Sequence, residues 1–158
     1  MTAPVLVLGY GNPSRGDDAV GPLLIEYLST LQLPEVELIT DFQLQIEHVL
    51  DLQDRRLVLF IDAAVSQPQA LVLSALHPEY SQSLSTHALS PQQLLGISQR
   101  VTGQLPALSY LLSIQASQFD LGDPLSPDMQ QHYQHACQLL KQMLDNPRPD
   151  HWHSLVTS

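Results

Sequence analysis

One stretch constrains this chain more than any other: Leu8-Gly9-Tyr10-Gly11-Asn12-Pro13-Ser14-Arg15-Gly16-Asp17-Asp18. It follows an apolar run, Val5 to Leu8, that reads as a buried strand. It leads into Val20, Leu23, Leu24, Tyr27, Leu28 and Leu31, whose spacing is that of one helix face. A glycine-rich turn between a strand and a helix brings backbone N–H groups up to an anion. Here two adjacent carboxylates occupy that place, so the chain's own charge opposes the ligand the turn would otherwise hold.

The rest of the sequence alternates in the same way. Strands are expected at Val5–Gly9, Val36–Thr40, Leu57–Ile61, Ala70–Ala75 and Ala107–Ile114. Pro22 lacks an N–H and must lie in the first turn of helix one, which puts the cap near Ala19 to Gly21 and leaves Asp17 and Asp18 ahead of the helix. Gln43 to Leu52 reads as a second helix, with Ile46, Val49 and Leu50 on one face and Gln43, Gln45, Glu47 and His48 exposed. Ser90, Pro91 and Gln93 spell a capping box with proline at the first helical position. Ser126-Pro127 opens the final helix, which runs to about Leu144. Cys137 falls on that helix's apolar face with Met129, Tyr133, Ala136, Leu140 and Met143 and reads as core filler, whereas His132 and His135 read as solvent-exposed. The pattern predicts an α/β fold, a three-layer α/β/α domain around a mixed, mostly parallel five-stranded sheet. A single domain is expected over 1–146, with 147–158 as a C-terminal tail to which His151 and His153 bring no assigned role.

Charge narrows the partners. Sixteen acidic against six basic side chains, a formal net charge of −10, disfavour nucleic acid and anionic membrane, which both require clustered Lys and Arg. A single cysteine forbids an intramolecular disulfide and argues against a thiolate metal cluster. No apolar run approaches the ~20 residues that span a bilayer, and the N-terminus lacks the regions of a signal peptide, so a cytoplasmic location is expected.

Two chemistries compete for the turn. Gly9-Tyr10-Gly11 begins a dinucleotide fingerprint, with Asp41 as a possible ribose-binding acid. Ser14 replaces the third glycine, however, Asp41 lies further along than usual, and Asp17 and Asp18 would face a pyrophosphate. In an open α/β sheet, ligands bind beyond the carboxyl ends of the strands where the strand order reverses. If strands one and three flank that reversal, the Asp17–Asp18 turn and Asp62 share one crevice. Asp18 (or Asp17), Asp62 and His87 then offer two carboxylates and an imidazole to a borderline divalent ion such as nickel or zinc, with positions left for water or substrate.

Gly9-Tyr10-Gly11-Asn12, Asp17-Asp18-Ala19-Val20-Gly21, Phe60-Ile61-Asp62-Ala63 and Ser85-Thr86-His87 together resemble the nickel-iron hydrogenase maturation endopeptidases in order and spacing. Phe119 to Pro127 extends the resemblance, which covers nearly the whole chain apart from the tail. It implies an endopeptidase that removes the C-terminal extension of a nickel-loaded [NiFe]-hydrogenase large-subunit precursor. It also implies metal-assisted hydrolysis, with the nickel supplied by the substrate and no tightly bound organic cofactor. Carried over by position, the catalytic and metal-reading residues are Asp18, Asp62 and His87. The first of these is often Glu in the family, and Asp17 is its rival. Phe119 to Pro127 resembles the soluble NAD-reducing class. The expected partner is the precursor, with no nucleic acid or membrane, and the expected state is a monomer; Gln43, Gln45, Glu47 and His48, on the same predicted sheet edge, could contact that precursor as the alternative to a plain exposed helix face. A Rossmann-like nucleotide-binding enzyme and a non-catalytic nickel-sensing chaperone are the alternatives.

Overall fold

The computed structural model describes residues 2–80 and 89–158. Its strands are β1 (Val5–Tyr10), β2 (Val36–Asp41), β3 (Leu57–Ala64), β4 (Leu71–Ala75) and β5 (Leu108–Gln115), in the order β2-β1-β3-β5-β4. All neighbours are parallel except β4, which runs antiparallel to β5. The two central runs Val5–Leu8 and Leu57–Ile61 are buried throughout, because helices cover both faces of the sheet.

The alternation of side chains along each strand divides the core. Val5, Val7, Leu57, Leu59 and Ile61 pack under α1 (Val20–Ser29) and α3 (Pro127–Asp145). Leu6, Leu8, Tyr10, Val58 and Phe60 pack on the other side, against Leu94 and Leu95 of α2 (Pro91–Thr102) and against Leu44, Val49 and Leu52. The three-layer architecture is therefore the one expected. Because β2 and β3 lie on opposite sides of β1, the strand order reverses there, and the carboxyl ends of β1 and β3 open one crevice.

The helix starts follow the sequence closely. The Ser90 hydroxyl accepts from the Gln93 N–H at 3.1 Å, and Gln93 Oε1 accepts from the Ser90 N–H at 2.9 Å. α1 begins after Ala19, as Pro22 requires. Other elements differ. Strand three does not stop at Asp62 but runs to Ala64, since Asp62 still pairs with Ser113 of β5. The 43–52 helix reduces to a 3₁₀ turn, Ile46–Val49; Ile46 and the following Leu50 are exposed, whereas His48, expected on an exposed face, is buried because its ring nitrogens bond Gln45 and Asp41. The apolar residues there do not share a helix face: Leu44, Val49 and Leu52 take the core and the others are left outside. Cys137 is half-buried beside the core, and His132 is half-buried too, its Nδ1 3.0 Å from the Gln115 carbonyl.

The largest departure is at the C-terminus. Residues 147–158, expected as a tail, fold back as α4 (Pro149–Ser154). Trp152 is fully buried, meets Tyr110 edge to face at a centroid distance of 5.6 Å, and donates its indole N–H to the Met143 carbonyl at 2.8 Å. Thr157 then pairs with Leu73: its N–H donates to the Leu73 carbonyl and its hydroxyl oxygen accepts the Leu73 N–H, both at 2.9 Å. This covers part of the free edge of β4, an exposed edge being a template for unwanted pairing. Trp152→Ala should cost about 3–5 kcal/mol in chemical denaturation, the range for removing a buried aromatic. Unchanged stability would mean that this segment adds nothing to the core.

Candidate active site

The turn after β1 is shaped by close approach. Gly11 has φ +148, and a Cβ there would stand 2.0 Å from the Asp18 carbonyl oxygen. Gly16 has φ +53, and a Cβ there would meet the Gln118 carbonyl oxygen at 2.4 Å. Only glycine fits either place. Between Gly16 and α1 the chain forms a 3₁₀ turn, Gly16–Ala19. With about three residues per turn, adjacent side chains there point roughly 120° apart. Asp17 and Asp18 consequently face different surroundings.

Asp17 points inward and is fully buried. Its Oδ2 accepts the N–H groups of Ser117 (2.9 Å) and Gln118 (3.2 Å) and the hydroxyl of Ser126 (2.8 Å), while Oδ1 accepts the Ser126 N–H (2.7 Å). Burial alone would raise its pKa, but the donors from Ser117, Ser126 and Gln118 outweigh it and hold the carboxyl below its ordinary range. The Ser126 hydroxyl also accepts the Met129 N–H, so the start of α3 is fixed through the same contact.

Asp18 points the other way, into the crevice. Its Oδ2 accepts the Asn12 N–H at 2.6 Å. A turn N–H that could have cradled a phosphate is thus taken by the chain's own carboxylate, which weighs further against the dinucleotide reading. Asp18 and Asp62 line one cleft of about 420 Å³ with Tyr10, Gly11, Phe42 and Ser90 among its other walls. Asp62 extends from β3 toward Tyr10, the last residue of β1. Burial pushes the Asp62 carboxyl up to about 6; the Ala63 N–H and the Tyr10 hydroxyl pull it down, and the charge of Asp18 raises it further. The Tyr10 phenol is raised as well, by burial first and then by the charge of Asp62 and the hydrogen bond to it.

His87, the third sequence candidate, lies outside the described residues. The described chain resumes at Leu89, and Leu89, Ser90 and Pro91 line the same cleft. Among the described residues, no group of three His, Cys, Asp or Glu side chains is placed to hold a metal ion. The structure therefore brings Asp18 and Asp62 together and assigns Asp17 a different task.

Three features of the site escape a residue-by-residue reading. Tyr10 is one; the only signal was a phenol within a buried run, where the hydroxyl needs a partner. The donors around Asp17 are another, since they lie about a hundred residues away in sequence. The third is the buried His48, whose Nε2 lies 3.3 Å from Oδ2 of the partly exposed Asp41 and whose Nδ1 accepts the Gln45 N–H at 2.8 Å. With Nδ1 an acceptor, Nε2 carries the proton and donates to Asp41. Asp41 Oδ1 in turn accepts the Phe42 N–H at 2.7 Å, and its carbonyl accepts the Gly11 N–H at 3.0 Å.

No protein-family model and no curated protein matches the chain. Solved structures do. The [NiFe] hydrogenase maturation protease HycI from Thermococcus kodakarensis KOD1 is 23% identical over 91% of this chain and 94% of its own, with a TM-score of 0.73. The hydrogenase maturating endopeptidase HybD from E. coli is 25% identical over 89% of this chain and 92% of its own, with a TM-score of 0.66. A hydrogenase 2 maturation peptidase from Thaumarchaeota archaeon SCGC_AB-539-E09 is 24% identical over 89% and 97%, with a TM-score of 0.63. The fold is that of the hydrogenase maturation proteases. The resemblance read from the sequence motifs is borne out across about nine-tenths of the chain.

The raised pKa of Asp62 makes a prediction about stability. A carboxyl whose folded pKa exceeds its unfolded value binds more protons when folded, so stability falls as pH rises from about 4 through about 6. A shift of that size corresponds to at most about 3 kcal/mol. Asp62→Asn should therefore be more stable than the parent at pH 7 by about 1–3 kcal/mol, with the difference vanishing below pH 4, as read by urea denaturation across that range. Equal stability at pH 7 would show that Asp62 ionises without cost.

Proposed function

We propose that the protein is a hydrogenase maturation endopeptidase that removes the C-terminal extension of a nickel-loaded [NiFe]-hydrogenase large-subunit precursor. The observation that carries this reading is the convergence of Asp18 and Asp62 in one cleft, on a fold shared with hydrogenase maturation proteases. The nickel belongs to the substrate. Asp18, Asp62 and His87 complete its coordination, and His87 stands two residues before Leu89, which lines the cleft. Two carboxylates and an imidazole suit a borderline divalent ion and leave positions for the precursor's own groups. The scissile carbonyl is held beside the metal, which polarises it or activates the attacking water. Asp17 takes no part in this chemistry, because its acceptor positions are already filled by the backbone and by Ser126.

The protein needs no resident metal or organic cofactor in this scheme, and acts as a cytoplasmic monomer on a protein partner. No helix among the described residues is long and apolar enough to cross a bilayer. The substrate hydrogenase is of the soluble NAD-reducing class, on the resemblance of Phe119 to Pro127 alone.

The test incubates the purified protein with nickel-loaded precursor and weighs the product. The expected result is loss of the C-terminal extension from loaded precursor and an unchanged mass for metal-free precursor. Asp18→Ala, Asp62→Ala and His87→Ala, each verified as folded, should abolish processing. Loaded precursor of unchanged mass with the parent protein would refute the peptidase reading, and full activity in any variant would remove that residue from the site.

A further inference from the structure

Beside the cleft the chain leaves large apolar side chains in water. Phe42, Ile46 and Leu50 are 68%, 51% and 77% exposed, all within one nine-residue segment. Single exposed apolar residues are ordinary, whereas a group of them next to a functional cleft marks an interaction surface. The segment is not free to fold them away. Leu44, Val49 and Leu52 anchor it in the core, and the buried His48 ties it back to the end of β2 by accepting the Gln45 N–H and donating to Asp41. Asp41 in turn fixes the Phe42 backbone. The apolar side chains are therefore presented by a braced backbone, which reduces the ordering cost of binding.

Phe42 joins this segment to the candidate site. Phe42 walls the Asp18–Asp62 cleft and also a smaller hollow of about 220 Å³, which it shares with Gly11, Pro13, Pro22 and Asp41. The exposed Glu47 lies within the segment and the half-buried Asp51 directly follows it, in a chain of net charge −10. The matching partner surface is apolar with a basic rim.

We propose that segment 42–50 is the docking surface for the folded body of the precursor whose C-terminal segment enters the Asp18–Asp62 cleft. Phe42, Ile46 and Leu50 make the apolar contact, and His48 holds the segment in shape. This rests on the peptidase reading for the identity of the partner. It adds where the partner is held and by what chemistry: an apolar patch bordered by Lys or Arg.

The test measures binding and cleavage separately. Calorimetry with nickel-loaded precursor compares the parent, Ile46→Ser/Leu50→Ser, and Glu47→Lys at low and high salt. The double variant alters only exposed side chains, so its unfolding midpoint should match the parent while its Kd rises about tenfold or more, the scale for losing a central apolar contact. Glu47→Lys should weaken binding about threefold at low salt, with the difference shrinking at high salt. Should the double variant fold poorly, Glu47→Lys still decides the matter, since it touches nothing in the core. Unchanged affinity in both variants would overturn the proposal, as would a parent that fails to bind precursor. A parent that sediments as a dimer dissociated by Ile46→Ser/Leu50→Ser would overturn it in favour of a second copy as occupant. A parent that binds but never cleaves, with binding lost in the double variant, would sustain the docking surface while removing the peptidase reading.

Discussion

A carboxylate buried with no exposure to water is costly unless its charge is met by donors, and Asp17 collects four of them at distances of 2.7–3.2 Å. Three are backbone N–H groups of the segment that follows β5, and the fourth is the hydroxyl that caps α3. The negative charge also sits at the N-terminus of a nineteen-residue helix, where the helix dipole favours it. One side chain therefore joins the turn after β1 to the loop after β5 and to the start of α3. With Asp17 drawn inward, the 3₁₀ turn leaves Asp18 facing the crevice, where the Asn12 N–H fixes one of its oxygens. The direction of the site's first carboxylate thus follows from a structural contact made by its neighbour.

The second carboxylate is held differently. Asp62 projects from a central strand beside Tyr10, with few donors of its own and with Asp18 nearby. Asp17 is stabilised in its charged form and Asp62 is not, so the two acids lend opposite pH dependences to the fold. Asp17 adds stability above the ordinary carboxylate range that is lost as pH falls through its depressed pKa, whereas Asp62 loses stability as pH rises toward about 6. A cation brought into the cleft would relieve the second cost. Functional sites commonly retain such local instability.

Much of this was legible in the sequence because local chemistry decided it. Continuous apolar runs gave the buried strands, Ser90-Pro91 and Ser126-Pro127 marked two helix starts, and the glycine turn with its acids located the crevice. What could not be read depended on contacts distant along the chain. Nothing near Trp152 signals that it docks against Tyr110 and Met143, so Pro147-Arg148-Pro149 looked like an end to ordered structure. The segment 43–52 has the composition of a helix, but Gln45 is extended and capped by His48, and a core that takes Leu44, Val49 and Leu52 leaves only one short turn. Asp17 and Asp18 are chemically identical in the sequence, and only partners about a hundred residues away distinguish them.

That division of labour is the centre of the account, and a paired comparison of Asp17→Asn and Asp18→Asn tests it most directly, with unfolding free energy and cleavage of nickel-loaded precursor read on the same preparations. Asp17→Asn should lose about 2–4 kcal/mol, because an amide replaces an acceptor of several charge-assisted bonds, yet still process precursor where it remains folded. Asp18→Asn should keep its stability to within about 1 kcal/mol and lose processing. An Asp18→Asn variant that cleaves normally, beside a stable Asp17→Asn variant that does not, would contradict the account.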